Sequence, residues 1–504
     1  MSVPFFNKEF TFTQPDGSQI KVFGWGDQHG AVFKTQDGKL VARNEQTGFY
    51  EAGTLDENGV IMATGHSLAS TPAPGALESV TTSRELATVI KANPGLPRGN
   101  HRWQERAKEK KMMLDAIEKM GTAIGPLTAP PPNTTTGSYV GLCILIEFPD
   151  VAHTISKADV ENFLNKAGYT GNGNAGSVYD YFKQVSDNKL EYKGKVTAYY
   201  KAKHNRSYYT DETITYPNRA LELINEALNH LKSSGFDFSS ISMDSAGYIY
   251  ATNVYYVGDT VNNWGKGLWP HAYHMASPVT VGSGRKVYDY QITNMGSGLT
   301  LATYCHENGH MLCDFPDLYD YYGTGNDSAG VGHYCLMGYG GPNPKRPVKV
   351  GAYLRYRAGW VTSLTQLTPG MGNVTIPAGH GCAIFKKRAS KEYFILENRQ
   401  KQGWDTDLTD SGLAIWHVDE AGSNNFEQGL PNKHYECALE QADNKMDLEN
   451  NRNLGDANDL YPFGRNNAFN KTSKPSSRWW NGISSGLNII NIVNTGGGIT
   501  FKVV

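Results

Sequence analysis

Residues 300–320 read TLATYCHENGHMLCDFPDLYD and contain the pattern H-E-x-x-H at His306, Glu307 and His310. Residues four apart on an α-helix lie one above the other on the same face, so both imidazoles can reach a single metal ion. Apolar residues recur at helical spacing through this stretch, which predicts such a helix. Glu307 then lies beside the ion, in the position of the general base of zinc peptidases. The alternative is a partly exposed polar helix face.

A catalytic zinc site needs a third protein ligand and leaves a fourth position open. Three aspartates, Asp314, Asp317 and Asp320, follow His310 closely. A chain that bends back at Pro316 can bring Asp317 to the metal. We therefore predict Asp317 as the third ligand, with Asp320 and Asp314 as alternatives.

A second stretch, residues 333–341, reads HYCLMGYGG. It resembles the tight turn that carries a methionine beneath the metal in metzincins, here Met337. Tyr339, two residues later, is a candidate to hydrogen-bond the metal or the oxyanion that develops during peptide hydrolysis. The alternative is an ordinary turn with a buried methionine.

Together with these runs, two later stretches resemble secreted metallopeptidases of the immune inhibitor A type: ENRQKQGWD at 397–405 and SGLAIWHVD at 411–419. Similar upstream pieces extend the resemblance over almost the whole chain, namely IEFPD at 146–150, GSVYDYF at 176–182 and NNWGKGLWPH at 262–271.

The resemblance implies that His306 and His310 are zinc ligands, that Glu307 is the base, and that an aspartate of the PDLYD run is the third ligand. The chain departs from the commoner family pattern in one respect. There the helix ends in a glycine and the aspartate comes one residue sooner, whereas here Cys313 holds the place of the glycine.

The function implied is that of a zinc-dependent endopeptidase, secreted as a zymogen, that acts on protein or peptide substrates. We expect a monomer. The alternative is a non-catalytic surface-binding or structural protein with a degenerate metalloprotease fold. A serine hydrolase is not supported, because no G-x-S-x-G elbow lies between a strand and a helix.

Composition excludes several other classes. The 504 residues include 47 Lys and Arg against 49 Asp and Glu, a formal net charge of −2, without a long basic run, so nucleic-acid binding has no electrostatic basis. No apolar run reaches the roughly 18 residues of a transmembrane helix. The N-terminus lacks a basic region followed by an apolar stretch. Because the resembling family is secreted, we expect the export signal to have been trimmed.

The order of elements predicts an α+β, multidomain protein. We expect a small β-rich pro-domain over residues 1–136, with a charged helix at 100–120 and a Pro-rich linker at 124–136. A zincin-like mixed α/β catalytic domain would then span 137–365, and a C-terminal β-sandwich 366–504.

The resemblance also implies that the pro-segment keeps the enzyme latent. Latency requires a group in the open metal position, and Asp27 and His29 are candidates, with an ordinary turn as the alternative. The basic stretch 102–111 is a candidate for activating cleavage, or else a solvated helix face.

Further expectations concern the remaining polar and sulfur groups. Cys313 and Cys335 either form a disulfide beneath the site or are two buried thiols. Acidic loops at 443–447 and 455–459, with Asp456 and Asp459, form a candidate calcium site, or else ordinary turns. His417 and Asp419 alternate with apolar residues on a strand and are read as structural. The strand at 288–294 is expected to offer its edge to an extended peptide.

Overall fold

The computed structural model describes residues 3–68, 83–119, 136–321, 328–379, 381–387 and 390–504. Helices and strands both occur, and the strands form several sheets, so the chain is of the α+β class. The predicted Pro-rich linker lies outside the described residues except for its last position. Among the described residues, no helix combines the length and the apolar character needed to cross a membrane.

The helices are, in chain order, α1 (Ser83–Ala92), α2 (Arg102–Lys119), α3 (Lys157–Asn165), α4 (Val178–Val185), α5 (Arg206–Tyr209), α6 (Asn218–Ser233), α7 (Leu301–Cys313) and α8 (Ala352–Arg357).

The strands are β1 (Phe5–Thr13), β2 (Gln19–Gly26), β3 (Ala31–Lys34), β4 (Val41–Arg43), β5 (Tyr50–Leu55), β6 (Ile61–Ala63), β7 (Gly137–Glu147), β8 (Leu190–Lys201), β9 (Thr252–Tyr256), β10 (His271–Thr280), β11 (Lys286–Asn294), β12 (Ser363–Gln366), β13 (Gly372–Pro377), β14 (Gly381–Phe385), β15 (Glu392–Arg399), β16 (Gly412–Asp419), β17 (Cys437–Leu439), β18 (Ile489–Asn494) and β19 (Gly498–Val503).

The chain divides into two compact units. Unit 1 comprises residues 1–102, 140–164 and 194–299, and unit 2 comprises 103–139, 165–193 and 300–504. The domain boundaries expected from the sequence stay a prediction.

Unit 1 contains the sheets β1-β2-β3 and β4-β5-β6 and a larger sheet of order β10-β11-β9-β7-β8. The continuous apolar run of β7 predicts a strand covered on both faces, and its residues 142–146 are fully buried. Strand β11 pairs with β10 on one side and with β9 on the other. The expectation that the strand at 288–294 offers a free edge is therefore wrong, because β10 takes that position in the sheet.

Helix α1 lies in a stretch whose Ser, Thr, Ala and Pro content suggests loose structure. Its described part nevertheless buries Ala87, Val89 and Ile90. This short helix owes its place to packing, which composition does not reveal.

Unit 2 contains α7 together with two sheets of order β12-β14-β15-β16-β17 and β13-β19-β18. The two sheets share a core to which β13, β15, β16 and β19 all contribute, including Val374, Phe394, Ile415 and Phe501. Helix α4 packs against α7. It begins with a reciprocal cap between Ser177 and Asp180, which satisfies the first free N–H groups of the helix.

Candidate metal centre

Helix α7 carries the H-E-x-x-H pattern, and main-chain groups at both of its ends make hydrogen bonds. The N–H of Ala302 donates to the carbonyl of Pro344 at 2.9 Å. At the other end Asp314 adopts a left-handed conformation with φ 58°. The N–H of Asp314 then donates to the carbonyl of His310 at 2.9 Å, which is the αL motif of a helix C-terminus, and the N–H of Phe315 donates to the carbonyl of Gly309 at 3.2 Å.

This terminus accounts for the longer spacing between the first histidine and the aspartate. The helix continues through Cys313, and the left-handed residue is Asp314, one position later than a glycine at Cys313 would place it. Aspartate tolerates this conformation better than most residues do. The reversal that follows brings Asp317, eleven residues after His306, to the site.

Three side-chain atoms converge at the C-terminal half of α7. The Nε2 atoms of His306 and His310 lie 3.1 Å apart, and Oδ1 of Asp317 lies 3.0 Å from the first and 3.2 Å from the second. All three residues are buried. Ligands in a tetrahedral zinc site lie about 3.3 Å apart, because their bonds to the metal are about 2.0–2.2 Å long.

The contacts of the two Nδ1 atoms indicate that both Nε2 atoms face this centre as acceptors. Nδ1 of His306 lies 2.9 Å from the carbonyl of Leu336, and Nδ1 of His310 lies 2.6 Å from the carbonyl of Phe315. A carbonyl accepts only, so each Nδ1 carries a hydrogen and donates it. In neutral rings both Nε2 atoms then turn lone pairs toward each other and toward a carboxylate. Such a set needs a proton or a cation between its members, and it fits a divalent metal ion.

Two hydrogen bonds from other residues orient Asp317. The hydroxyl of Tyr321 donates to its Oδ2 at 2.8 Å, and the amide of Asn425 donates to its main-chain carbonyl at 3.0 Å. Burial alone would raise the pKa of Asp317, but the two imidazoles hold that pKa well below its usual range. The same carboxylate, with Glu307, raises the pKa of His310 against the effect of burial. Asp317 is therefore ionised at neutral pH, as a metal ligand must be.

The turn at residues 333–341 supports the same centre. Leu336 supplies the carbonyl that fixes the ring of His306, and the carbonyl of Met337 accepts the N–H of Leu318 at 2.7 Å. A Cβ atom on Gly309 would lie 2.7 Å from Sδ of Met337. Glycine at this position of the helix therefore lets the buried methionine pack beneath it.

The remaining predicted site residues, Glu307, Tyr339 and Asp320, have different surroundings. Glu307 is buried next to the ligands in sequence, with 2% of its surface exposed. The ring of Tyr339 lies 6.0 Å from that of Tyr319 and 6.5 Å from that of His333. Asp320 is buried but does not belong to the group of three that could hold a metal.

Asp314 is engaged by helix α2. Its carboxylate accepts hydrogen bonds from Arg106 at 2.9 Å and from Lys110. Arg106 also donates to the carbonyl of Met311 at 2.6 Å, which satisfies one of the free carbonyls at the end of α7. Trp103, in the first turn of α2, stacks on the ring of His310 with 4.7 Å between centroids and 24° between planes. No pattern in the sequence points to a role for Trp103, which is the second residue of this helix.

A buried ion network lies behind the turn, and it comes from the run ENRQKQGWD. Arg399 makes two hydrogen bonds to Asp405, at 2.9 and 2.7 Å, and donates to the carbonyl of Tyr334 at 2.7 Å. Glu397 accepts from Arg355 at 2.6 Å and from Trp416 at 2.8 Å. The resemblance pointed to this run but gave it no role, and the structure makes it a support of the turn.

All six cysteines are free and buried. The predicted bridge between Cys313 and Cys335 is therefore absent, and the alternative of two buried thiols holds. Sγ of Cys335 instead accepts the N–H of Gly351 at 3.2 Å.

The acidic loops bring together Asp443, Asp447 and Asp456 as a group that could hold an ion. Asp459 is not in this group. Its Oδ2 accepts hydrogen bonds from Tyr334 at 3.1 Å and from the N–H of Asp456 at 2.8 Å. Asp456 thus lies in a group that could hold an ion and Asp459 lies outside it, and a calcium ion in these loops stays a prediction.

Asp27 and His29 lie in unit 1 and contact other residues of that unit. Oδ1 of Asp27 accepts the N–H groups of His29 and Gly30 at 2.7 and 3.2 Å, which is an Asx turn. Nδ1 of His29 lies 2.6 Å from the carbonyl of Leu96. The turn alternative describes both residues.

Comparison with known proteins assigns no family to this chain, since no family model matches the sequence and no curated protein matches it significantly.

Proposed function

We propose that the chain is a zinc-dependent endopeptidase in which His306, His310 and Asp317 hold the metal. One observation carries the proposal: two imidazole Nε2 atoms and a carboxylate oxygen lie within 3.2 Å of one another, while both Nδ1 atoms donate to main-chain carbonyls. This donor set matches a zinc site with three protein ligands.

A zinc ion in this position supplies a Lewis acid and makes water a nucleophile near neutral pH. The remaining chemistry belongs to side chains. Glu307 takes the proton of the attacking water on its carboxylate and returns it to the leaving amine. Tyr339 is proposed to donate a hydrogen bond to the developing oxyanion. Tyr321 keeps Asp317 oriented through Oδ2.

The proposal includes a zincin-like catalytic domain, a C-terminal β-sandwich and a secreted zymogen. Helix α2 supports latency in another way than a group at the open metal position, because Trp103 covers one face of His310 while Arg106 and Lys110 hold Asp314. Helix α2 lies before the proposed catalytic domain in the chain, so cleavage in its basic part would release these contacts.

The test uses the full-length chain, supplied with zinc and treated with trypsin to cut basic sites. We expect cleavage of casein that a chelator abolishes and zinc restores. Glu307→Ala should abolish cleavage while keeping near-stoichiometric zinc, since Glu307 is not a ligand. If the wild-type chain holds zinc but never cleaves casein or a fluorogenic peptide library, the surface-binding alternative is supported instead.

A further inference from the structure

The ring of Trp103 stacks on the ring of His310, a candidate zinc ligand, as an aromatic side chain of a bound peptide would. The indole is nearly parallel to the imidazole of His310, with 4.7 Å between centroids, and Trp103 is buried, with 8% of its surface exposed. His310 is fixed on its two nitrogens by Phe315 and by the metal ligands. The ring face that Trp103 covers is therefore a preformed flat surface whose position does not depend on Trp103.

A second contact lies one helical turn further along the same face of α2. Residues three and four apart share a helix face, so Trp103, Arg106 and Lys110 point to one side. The guanidinium of Arg106 reaches Asp314 at 2.8 Å. Asp314 is buried, and its left-handed conformation holds its carboxylate at the end of α7. An aromatic surface and an anionic anchor thus lie side by side on unit 2.

A cavity of about 210 Å³ adjoins these contacts. Its walls include Trp103 and Ala107 from α2 and Cys313, Phe315 and Leu354 from the opposite side. Charged residues line it as well, among them Lys110, Asp314 and Arg357. The space beside the indole therefore has both apolar and charged walls.

We propose that the face of His310 is a binding subsite for an aromatic side chain, that Asp314 beside it receives a cationic group, and that Trp103 and Arg106 occupy both in the latent chain. The ligand class is a peptide with an aromatic residue followed three positions later by Arg or Lys. Calling this peptide a substrate rests on the proposed function, but its binding does not.

The first experiment opens the subsite in the full chain with Trp103→Ala. N-acetyl-L-tryptophanamide and N-acetyl-L-leucinamide are titrated against this variant and the wild type by NMR of the histidine rings, in metal-free and zinc-supplied protein. We expect the variant to bind the tryptophan compound roughly tenfold more tightly than the leucine compound, because a stacked aromatic pair adds to simple burial. The wild type, whose subsite is filled, should bind neither. Equal binding of the two amides would overturn the proposal.

Trp103→Leu is the second variant, because it keeps an apolar side chain and so protects the fold if Trp103→Ala unfolds. It should still prefer the tryptophan compound over the leucine compound, although less strongly. Loss of that preference in a folded Trp103→Leu chain would also contradict the proposal.

The anionic anchor is tested in the triple variant Trp103→Ala, Arg106→Ala, Lys110→Ala, because Arg106 and Lys110 hold Asp314 in the unchanged chain. The ligands are the acetylated, amidated peptides Trp-Ala-Ala-Arg and Trp-Ala-Ala-Gln. The arginine peptide should bind several-fold tighter, and adding Asp314→Asn should remove this advantage. Asparagine suits the left-handed conformation, so that change removes the charge with little strain. An unchanged advantage would exclude Asp314 as the anchor. Binding without casein cleavage would refute only the proposed function, whereas zinc-dependent cleavage without aromatic preference would refute only this subsite.

Discussion

The hydroxyl of Tyr321 donates a hydrogen bond of 2.8 Å to Oδ2 of Asp317, while Oδ1 of the same carboxylate faces the two histidines. The two carboxylate oxygens thus have different partners. Oδ1 faces the candidate metal centre, and Oδ2 is held by the surrounding protein. Support of this kind orients a ligand before the metal arrives and raises affinity for the metal.

Tyr321→Phe should therefore weaken zinc binding by about 10–100-fold, the usual effect of losing such a supporting group. The thermal midpoint of the metal-free chain should change little, because Tyr321 is only partly buried. Competition with a chromophoric chelator measures the affinity. Tyr319→Phe is a matched control from the same run. Unchanged zinc affinity in Tyr321→Phe would show that its hydrogen bond plays no part in the centre.

Glu307→Gln should lower kcat by about 10²–10⁴-fold, the usual contribution of a positioned general base. Glutamine has nearly the same shape as glutamate but cannot accept the proton, and zinc content should stay at the wild-type level. Peptide hydrolysis and metal analysis on the same sample check both statements. Wild-type turnover in this variant would exclude Glu307 as the base.

The position of the centre could be predicted from the sequence because it depends on helical spacing. His306 and His310 share a face of any α-helix. Choosing Asp317 over Asp314 required more, since the left-handed residue after Cys313 sets where the chain turns, and any residue other than glycine is uncommon in that conformation. The contact of Trp103 with His310 joins residues 207 positions apart, and no local pattern encodes it.

Gly309→Ala should destabilise the folded chain. Alanine gains up to about 1 kcal/mol over glycine within a helix. Its Cβ would, however, lie 2.7 Å from Sδ of Met337, and overpacking of a buried site costs about 1–3 kcal/mol. We expect the cost of overpacking to exceed the gain in helix propensity. The free energy of unfolding, measured in urea, should therefore fall. Gly497→Ala is the control, because no neighbouring atom lies within 4 Å of a Cβ there. Equal stability of both variants would mean that Met337 does not press against α7.

A pH dependence is expected from His417 in unit 2. Its two ring nitrogens lie 2.9 Å from Glu392 and 3.0 Å from Glu440, and its ring stacks on Trp480. Burial would lower the pKa of His417, but hydrogen bonds to the two carboxylates raise it above its usual value. Asp419, whose Oδ2 lies 2.8 Å from Nε2 of His434, is another titratable group nearby.

A folded-state pKa above the unfolded value of about 6.5 stabilises the protein fully below that pH, and the contribution is lost as pH rises through the folded pKa. His417→Gln should therefore cost about 2 kcal/mol at pH 5.5, the worth of a charged hydrogen bond, and less at pH 9. Urea unfolding at both values provides the measurement. A cost that grows with pH would mean that the imidazole is neutral in the folded state.

The C-terminal strands were predictable from turn residues and alternating apolar positions, but their partners were not. His417 was read as structural from its alternation on a strand, and its burial between two carboxylates agrees with this. The pairing of β11 on both sides was missed because β10 begins at His271, directly after Trp269 and Pro270, and this stretch looks like a loop until the sheet is assembled.

The most direct test of the central claim is the zinc K-edge absorption spectrum of the metal-free chain after one equivalent of zinc is added. The account predicts tightly held zinc with two imidazole nitrogens at about 2.0–2.1 Å and a carboxylate oxygen at about 2.0–2.2 Å. The imidazole signal should disappear in the double variant His306→Ala, His310→Ala. A chain that retains no zinc, or a sulfur shell at about 2.3 Å from its buried cysteines, would contradict the account.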